Sequence, residues 1–219
     1  MISKNTFSFL ADLSKNNNKE WFEANKPRYQ KAQHEIKNLL SVWINEFGKI
    51  DENIAHLEPS KCIFRIHRDV RFSKDKSPYK LNLGAFIVCG GKNSNLAGYY
   101  LHIEPNKCFF GAGNYAPTPE QINKIRQEID YNFRDFQSIV SDKKFATTFG
   151  KLDDEQKLKR APKGYEEDNE AIEYLKLKSF TVFAKVKDTE ILKPDFMHRL
   201  VELSTMSKPL IDFLNTAVD

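Results

Sequence analysis

The sequence predicts an α+β fold, and three observations carry that prediction. Apolar residues recur at helical spacing in the first quarter of the chain and again towards its end. Short alternating segments, divided by turn residues, fill the middle. The links between those segments are too short for parallel crossovers, so the pairing is mainly antiparallel. The expectation is a single domain over 1–219: helical over 1–58, β-rich with a basic hairpin over 59–117, and helices plus one strand over 118–219. Helical segments at both ends would pack against a sheet of about five strands.

Each element has its own warrant. Asn17, Asn18, Lys19 and Glu20 place an N-cap three residues ahead of a carboxylate, just before Trp21 and Phe22. Pro27 restarts or kinks the helix, because it has no N–H to donate. Tyr29, Ala32, Ile36, Leu39, Trp43, Phe47 and Ile50 then form one stripe at spacings of three and four, closed by Gly48. Such a stripe faces a core. Strands are expected at 62–72, 81–89, 98–104 and 107–110, with 90–95 and Pro105-Asn106 as turns. Thr118-Pro119-Glu120-Gln121 opens a helix with a Thr–Gln box, and its apolar face is Ile122, Ile125, Ile129, Phe133 and Phe136. A helix at 169–176 and a strand at 179–186 follow. In that strand Phe180, Val182, Ala184 and Val186 alternate with Ser179, Thr181 and Lys185, so one face is buried. A last helix turns Phe196, Leu200, Leu203, Leu210, Phe213 and Leu214 inward.

Composition narrows the class. Hydrophobic residues at 40% and aromatics at 12% exclude disorder as the overall state. The most apolar stretch, 83–89, is far below the ~20 residues of a membrane helix, so no membrane partner is expected. The first ten residues carry no signal-peptide pattern. Cys62, Cys89 and Cys108 are odd in number and lack C-x-x-C spacing, which speaks against a disulfide framework or zinc site and for a reduced cytoplasm.

The charge is local. The chain as a whole nets +4, from 34 Lys and Arg against 30 Asp and Glu. Residues 61–80 alone hold seven cations against two carboxylates, a net +5, so the rest of the chain nets −1. As a strand, this segment turns Ile63, Arg65, His67, Asp69 and Arg71 to one face and Cys62, Phe64, Ile66, Arg68, Val70 and Phe72 to the other. Arg68 is the polar intruder on an apolar face, and is expected to be half-buried and paired with a carboxylate on a helix.

The run from Arg68 to Lys80, Arg-Asp-Val-Arg-Phe-Ser-Lys-Asp-Lys-Ser-Pro-Tyr-Lys, resembles the hallmark of a family of uncharacterised, mostly bacterial and fungal proteins, domain of unknown function twenty-four sixty-one. Matching segments are 16–22, 98–105 (Gly-Tyr-Tyr-Leu-His-Ile-Glu-Pro), 111–117 and 158–165. The resemblance covers nearly the whole chain and implies no activity, so no catalytic residue is carried over. Where that family tends to have a His shortly after the Pro-Lys-Gly-Tyr segment, this chain has Asn169.

The sequence does not disclose a reaction. Its leading functional reading is a cationic pocket for a phosphorylated or carboxylated small molecule, built from Arg65, Arg68, Arg71, Lys74, Lys76 and Lys80, with Lys163 of the 159–165 basic turn as a second wall. His102, Tyr79 and Asp69 are the candidates for proton transfer. His67, Asp69, His102 and Glu104 form i, i+2 pairs that would have to converge to hold a metal; no metal and no cofactor is expected. Gly111-Ala112-Gly113 matches no phosphate-loop spacing and is expected as a strand-end turn. Two alternatives stand beside this reading. The hairpin could contact nucleic acid or an acidic protein, with Phe64, Phe72, Tyr79, Tyr99 and Tyr100 stacking on bases; or the motif could be an internal salt-bridge network. Nothing in the sequence sets the oligomeric state.

Overall fold

The structure, a computed structural model, describes residues 1–218. Helices α1 (Lys4–Lys15), α2 (Lys19–Ala24) and α3 (Lys26–Phe47) open the chain. The cap of α2 is Asn18, whose side chain accepts from the Trp21 amide, one residue later than the carboxylate spacing suggests. Asn17 is used elsewhere: its side-chain amide donates to the Tyr79 carbonyl at 2.9 Å, and its oxygen accepts the Tyr79 N–H at 3.1 Å. Pro27 sits in the first turn of α3 and restarts the helix. The expected stripe is buried from Ala32 to Phe47, whereas Ile50 lies beyond the helix end and is exposed. Gly48 closes α3 through close approach rather than unusual torsion, because a Cβ there would lie 2.5 Å from the Ile44 carbonyl oxygen.

A 3-10 turn (Glu52–Ile54) and α4 (Pro59–Cys62) lead to the sheet. Its strands are β1 (Leu83–Ile87), β2 (Gly98–Ile103), β3 (Phe109–Asn114) and β4 (Phe180–Lys185), antiparallel throughout in the order β1-β2-β3-β4. The sheet thus has four strands rather than five. The expected strand at 62–72 is absent: Pro59 starts a helical turn, and the chain beyond it makes only single bridges, Ile63 to Ala85 and His67 to Tyr79. Pro78, having no N–H, cannot extend a ladder there. The segment still folds back on itself, with Arg68 N–H to the Pro78 carbonyl at 2.9 Å and Lys80 N–H to the Ile66 carbonyl at 2.7 Å. Gly111 and Gly113 are not a strand-end turn. They lie inside β3, opposite Tyr100 and Gly98 of β2.

The second half adds α5 (Pro119–Tyr131), α6 (Phe133–Val140), α7 (Lys143–Phe149) and α8 (Ile172–Leu175) before β4, then α9 (Asp188–Ile191) and α10 (Phe196–Val218). Thr118 and Gln121 form the expected capping box of α5. The apolar face from Ile122 to Phe136 is shared by two helices, because the chain breaks at Asn132. α8 is shorter than the helix expected at 169–176, and the carbonyls of Leu175 at its end and of Leu177 just beyond it accept from the buried Arg126 of α5 at 2.6 and 3.2 Å.

Helices cover one face of the sheet. Ala85 and Ile87, Tyr99, Leu101 and Ile103, Phe110 and Ala112, and Val182 and Ala184 are buried on that face. Trp43 of α3 packs on Phe110, and Phe47 meets Tyr99 edge-on at 5.0 Å. The Trp43 indole N–H donates to Ser204 of α10 at 3.0 Å, tying the two long helices together beneath the sheet. Among the described residues no helix is long and apolar enough to cross a membrane.

Gly113 joins β3 to its neighbours at a φ of 129°, where a Cβ would lie 2.0 Å from the Phe180 carbonyl oxygen. Gly113→Ala is therefore expected to destabilise by about 3 kcal/mol or more, through backbone strain and overpacking together. Gly111→Ala, which would press only on the half-exposed Phe183 ring at 3.2 Å, should cost clearly less. Urea unfolding of the two variants beside the parent protein measures the difference.

Candidate functional site

The face of the sheet turned away from α3 and α10 has a different composition. Alternation along the strands puts Gly84 and Phe86, Gly98, Tyr100 and His102, Phe109, Gly111 and Gly113, and Thr181, Phe183 and Lys185 on that side. The register aligns them in rows across the sheet: Gly84–His102–Phe109–Lys185, then Phe86–Tyr100–Gly111–Phe183, then Gly98–Gly113–Thr181. Glycines in the last two rows remove side chains from the middle of the face and leave aromatic rings around the gap. The result is a cavity of about 700 Å³. Phe64, Lys80 and Lys92 lie at its β1 side, where Phe64 N–H bonds to the Gly84 carbonyl. Asp153 and Glu155 lie at its β4 side, where Asp153 N–H bonds to the Thr181 carbonyl. Three interstrand spacings, about 14 Å, separate the two edges.

The two lysines have no carboxylate partner among the described residues. Lys92 Nζ donates to the Ile63 carbonyl at 2.8 Å, and Lys80 Nζ stands 5.3 Å from the centre of the Phe64 ring. Burial, followed by the nearby Arg65 and Lys92 cations, pushes the Lys80 ammonium below the usual lysine range.

The other cations of the basic segment are placed differently. Arg68 is half-buried, as its position among apolar residues predicts, but its partner is Asp75 of the same loop and not a helix carboxylate. Its guanidinium also donates to the Ser77 carbonyl at 3.1 Å. Arg71 grips Asp69 with Nε and Nη2, at 3.0 and 2.7 Å. Lys76 donates to the Val70 carbonyl. Arg65, Lys74 and Lys163 are exposed and have no side-chain hydrogen bond or ion pair among the described residues. Only Lys80 of the segment's cations lines the cavity.

The three proton-transfer candidates are not brought together. Tyr79 is buried, with its ring stacked on Phe22 at 3.9 Å and packed beside His67. Asp69 is engaged with Arg71 on the exposed loop. His102 sits on β2 between two other groups: its Nδ1 is 3.1 Å from the Tyr100 hydroxyl and its Nε2 is 3.1 Å from a Glu104 carboxylate oxygen. The ring lies flat on Phe109 at 4.7 Å. Glu104 also receives Lys107 at 2.8 Å. Burial disfavours the Glu104 carboxylate, but the hydrogen bonds from Lys107 and His102 outweigh it, so its carboxyl titrates below the ordinary glutamate range. Burial pushes the Tyr100 phenol up to about 12. His67 and Asp69 do not join this pair, and among the described residues no group of three His, Cys, Asp or Glu side chains is placed to hold a metal ion.

Sequence reasoning missed Phe86, Lys92, Asp153, Glu155 and Phe183, and gave Tyr100 a place only among the aromatics that would stack on nucleic-acid bases. The available signal was the period-two run Gly98, Tyr100, His102 facing Phe109, Gly111, Gly113, in which every residue of one face is glycine, aromatic or imidazole.

The loop 68–77 is held by carboxylates. Hydrogen bonds from the Ser77 hydroxyl and amide, then from Arg68, lower the Asp75 carboxyl to about 2. A depressed carboxyl stabilises the folded loop above its unfolded pKa, and that contribution is lost as pH falls through the folded value. Acidification from about pH 4 to about pH 2 is expected to release the loop. Asp75→Asn should remove most of that dependence. Amide exchange at Ser77 in the two proteins, normalised to intrinsic rates, is the measurement.

No curated protein and no solved structure matches the chain. The sequence profile of one family, described as conserved hypothetical protein DUF2461, matches residues 5–213, and the chain belongs to that family.

Proposed function

We propose that the open face of the sheet binds a carboxylated or phosphorylated small molecule with a flat apolar body. The observation that carries this reading is the pair Lys80 and Lys92, which line the cavity without a carboxylate partner. A buried or half-buried cation is stabilised by an opposite charge, and here a ligand anion supplies it. The glycine floor and the rings of Phe86, Tyr100, Phe109 and Phe183 suit a planar body lying along the strands. Within the basic segment this reading gives anion binding to Lys80, with Arg65 adding to the field, and gives Arg68, Arg71, Asp69 and Asp75 the task of holding the hairpin. The free thiols of Cys62, Cys89 and Cys108 support a reducing cytoplasm as the location.

Calorimetric titration with 2-naphthoate and with phenyl phosphate tests the site. Binding is expected for both, and Lys80→Met with Lys92→Met should weaken it by about tenfold or more, an electrostatic loss of about 1.4 kcal/mol. The neutral amide of naphthoate should bind no better to the parent protein than to the double variant. Equal binding of acid and amide would refute the reading.

A second reading follows from Phe72, which is 96% exposed at the tip of the basic loop with the Arg71 guanidinium 5.8 Å from its ring centre. An exposed ring among Arg71, Lys74 and Lys76 suits stacking on a single-stranded nucleic acid. Shift assays with oligo-dT and oligo-U at low and at physiological salt are expected to give salt-sensitive binding that Phe72→Ala weakens. Absence of binding at low salt sinks this second reading.

A further inference from the structure

We propose that Tyr100, His102 and Glu104 form a proton relay that makes the Tyr100 hydroxyl the acid–base group of the cavity. The inference rests on the ligand site proposed above, and assigns it chemistry as well as binding.

The direction of the relay follows from hydrogen-bond bookkeeping. An ionised carboxylate only accepts, so the 3.1 Å contact to Glu104 places a proton on His102 Nε2. A neutral imidazole has one N–H, which leaves Nδ1 as an acceptor. Among the described residues the only side chain hydrogen-bonded to Nδ1 is the Tyr100 hydroxyl at 3.1 Å, which therefore donates to it. Carboxylate, imidazole and hydroxyl thus stand in series, with the carboxylate orienting the base and the base facing the group to be deprotonated, the arrangement that activates hydroxyl nucleophiles elsewhere.

Placement supports a chemical role. Tyr100 and His102 are i and i+2 on one face of β2, and Glu104 follows at the same spacing one residue beyond the strand's end, so the backbone of β2 sets the first step of the series. Tyr100 lines the cavity, while His102 and Glu104 stand behind it with side chains 16% and 19% exposed, so the base is shielded and Tyr100 is the member of the series that borders the ligand space. Room for the hydroxyl is provided by Gly84 on β1, where a Cβ would lie 2.6 Å from the Tyr100 oxygen. A phenol held up near 12 is neutral at rest and depends on a neighbouring base to react. Phe109, stacked on His102 with 13° between the ring planes, restricts rotation of the imidazole.

The experiment uses 4-(fluorosulfonyl)benzoate, a flat carboxylated electrophile of the class that the site is proposed to bind. Its reaction balances within the relay: the Tyr100 oxygen bonds to sulfur, the S–F bond breaks and fluoride leaves, and the phenolic proton passes to His102 Nδ1. Intact mass and peptide mapping should find one adduct, on Tyr100, absent from Tyr100→Phe. His102→Ala should slow labelling by about tenfold or more, and added imidazole should restore it, a rescue that a merely structural histidine would not show. Glu104→Gln, which keeps size and reach, should slow labelling by a smaller factor and carries the comparison if His102→Ala does not fold. Labelling of Tyr100 at the parent rate in both variants would overturn the relay. So would no adduct, or an adduct confined to Lys80 or Lys92, in a protein that still binds 2-naphthoate. Failure of the parent protein to bind 2-naphthoate would instead overturn the ligand site on which the relay rests.

Discussion

The packing of one face of the sheet against α3 and α10 is the constraint from which the rest follows. Trp43 meets Phe110 and Phe47 meets Tyr99 from below, Ser204 of α10 accepts the Trp43 indole N–H, and all five residues are buried. Once alternate residues of β1–β4 are committed to that core, the intervening ones must face the other way. An antiparallel sheet tolerates a solvated second face, so nothing obliges the chain to cover it. Its middle is built instead of glycine and aromatic residues, which neither fill the space nor solvate it, while Thr181 and Lys185 of β4 stand at its margin.

The basic segment is held at the margin of that face by contacts from far along the chain. Asn17 exchanges two hydrogen bonds with the Tyr79 backbone and acts as a short neighbouring strand. Phe22 stacks on the Tyr79 ring from the same helical entrance. These contacts fix the position of Lys80, one residue on, beside Phe64 and over the edge of β1. Beyond the clamp, the loop tip is self-neutralised by Asp69 and Asp75, and Phe72 projects into solvent. One stretch of chain therefore does two physically separate things: its base presents an unpaired cation to a cavity, and its tip presents an aromatic ring among cations.

Polarity across the cavity has the same origin. Cations enter from either end of β1, Lys80 before the strand and Lys92 after it, and carboxylates from the segment that precedes β4, and the strand order puts β1 and β4 at opposite edges. With about 14 Å between them, the two groups do not quench one another as an ion pair does. The row containing Tyr100 runs between them, and the adjacent row supplies His102, so the polar chemistry of β2 lies under the middle of an otherwise apolar space.

Much of this was legible in the sequence. The helical stripe from Ala32 to Phe47, the Thr118–Gln121 box, the inward set Phe180, Val182, Ala184 and the concentration of charge in 61–80 each depend on local periodicity or composition, which tertiary structure did not overrule. Even the alternation of 62–70 held in burial, with Cys62 and Ile66 buried and Arg65, His67, Asp69 exposed, although the segment is not a strand. What local reasoning could not see was register and coverage. Period-two alternation sorts Gly98, Tyr100 and His102 from Tyr99, Leu101 and Ile103, but which set a helix covers depends on where α3 and α10 dock. Arg68 is half-buried, as its place among apolar residues implies, yet its partner is seven residues away because Pro78 and the clamp on Tyr79 bend the loop back on itself. Lys92 and Lys80 are twelve residues apart and meet only because the Ile63–Ala85 bridge lays one segment along β1. Local chemistry determined the elements and their faces; the long-range packing of helices on one side of a sheet decided which of those faces became a site.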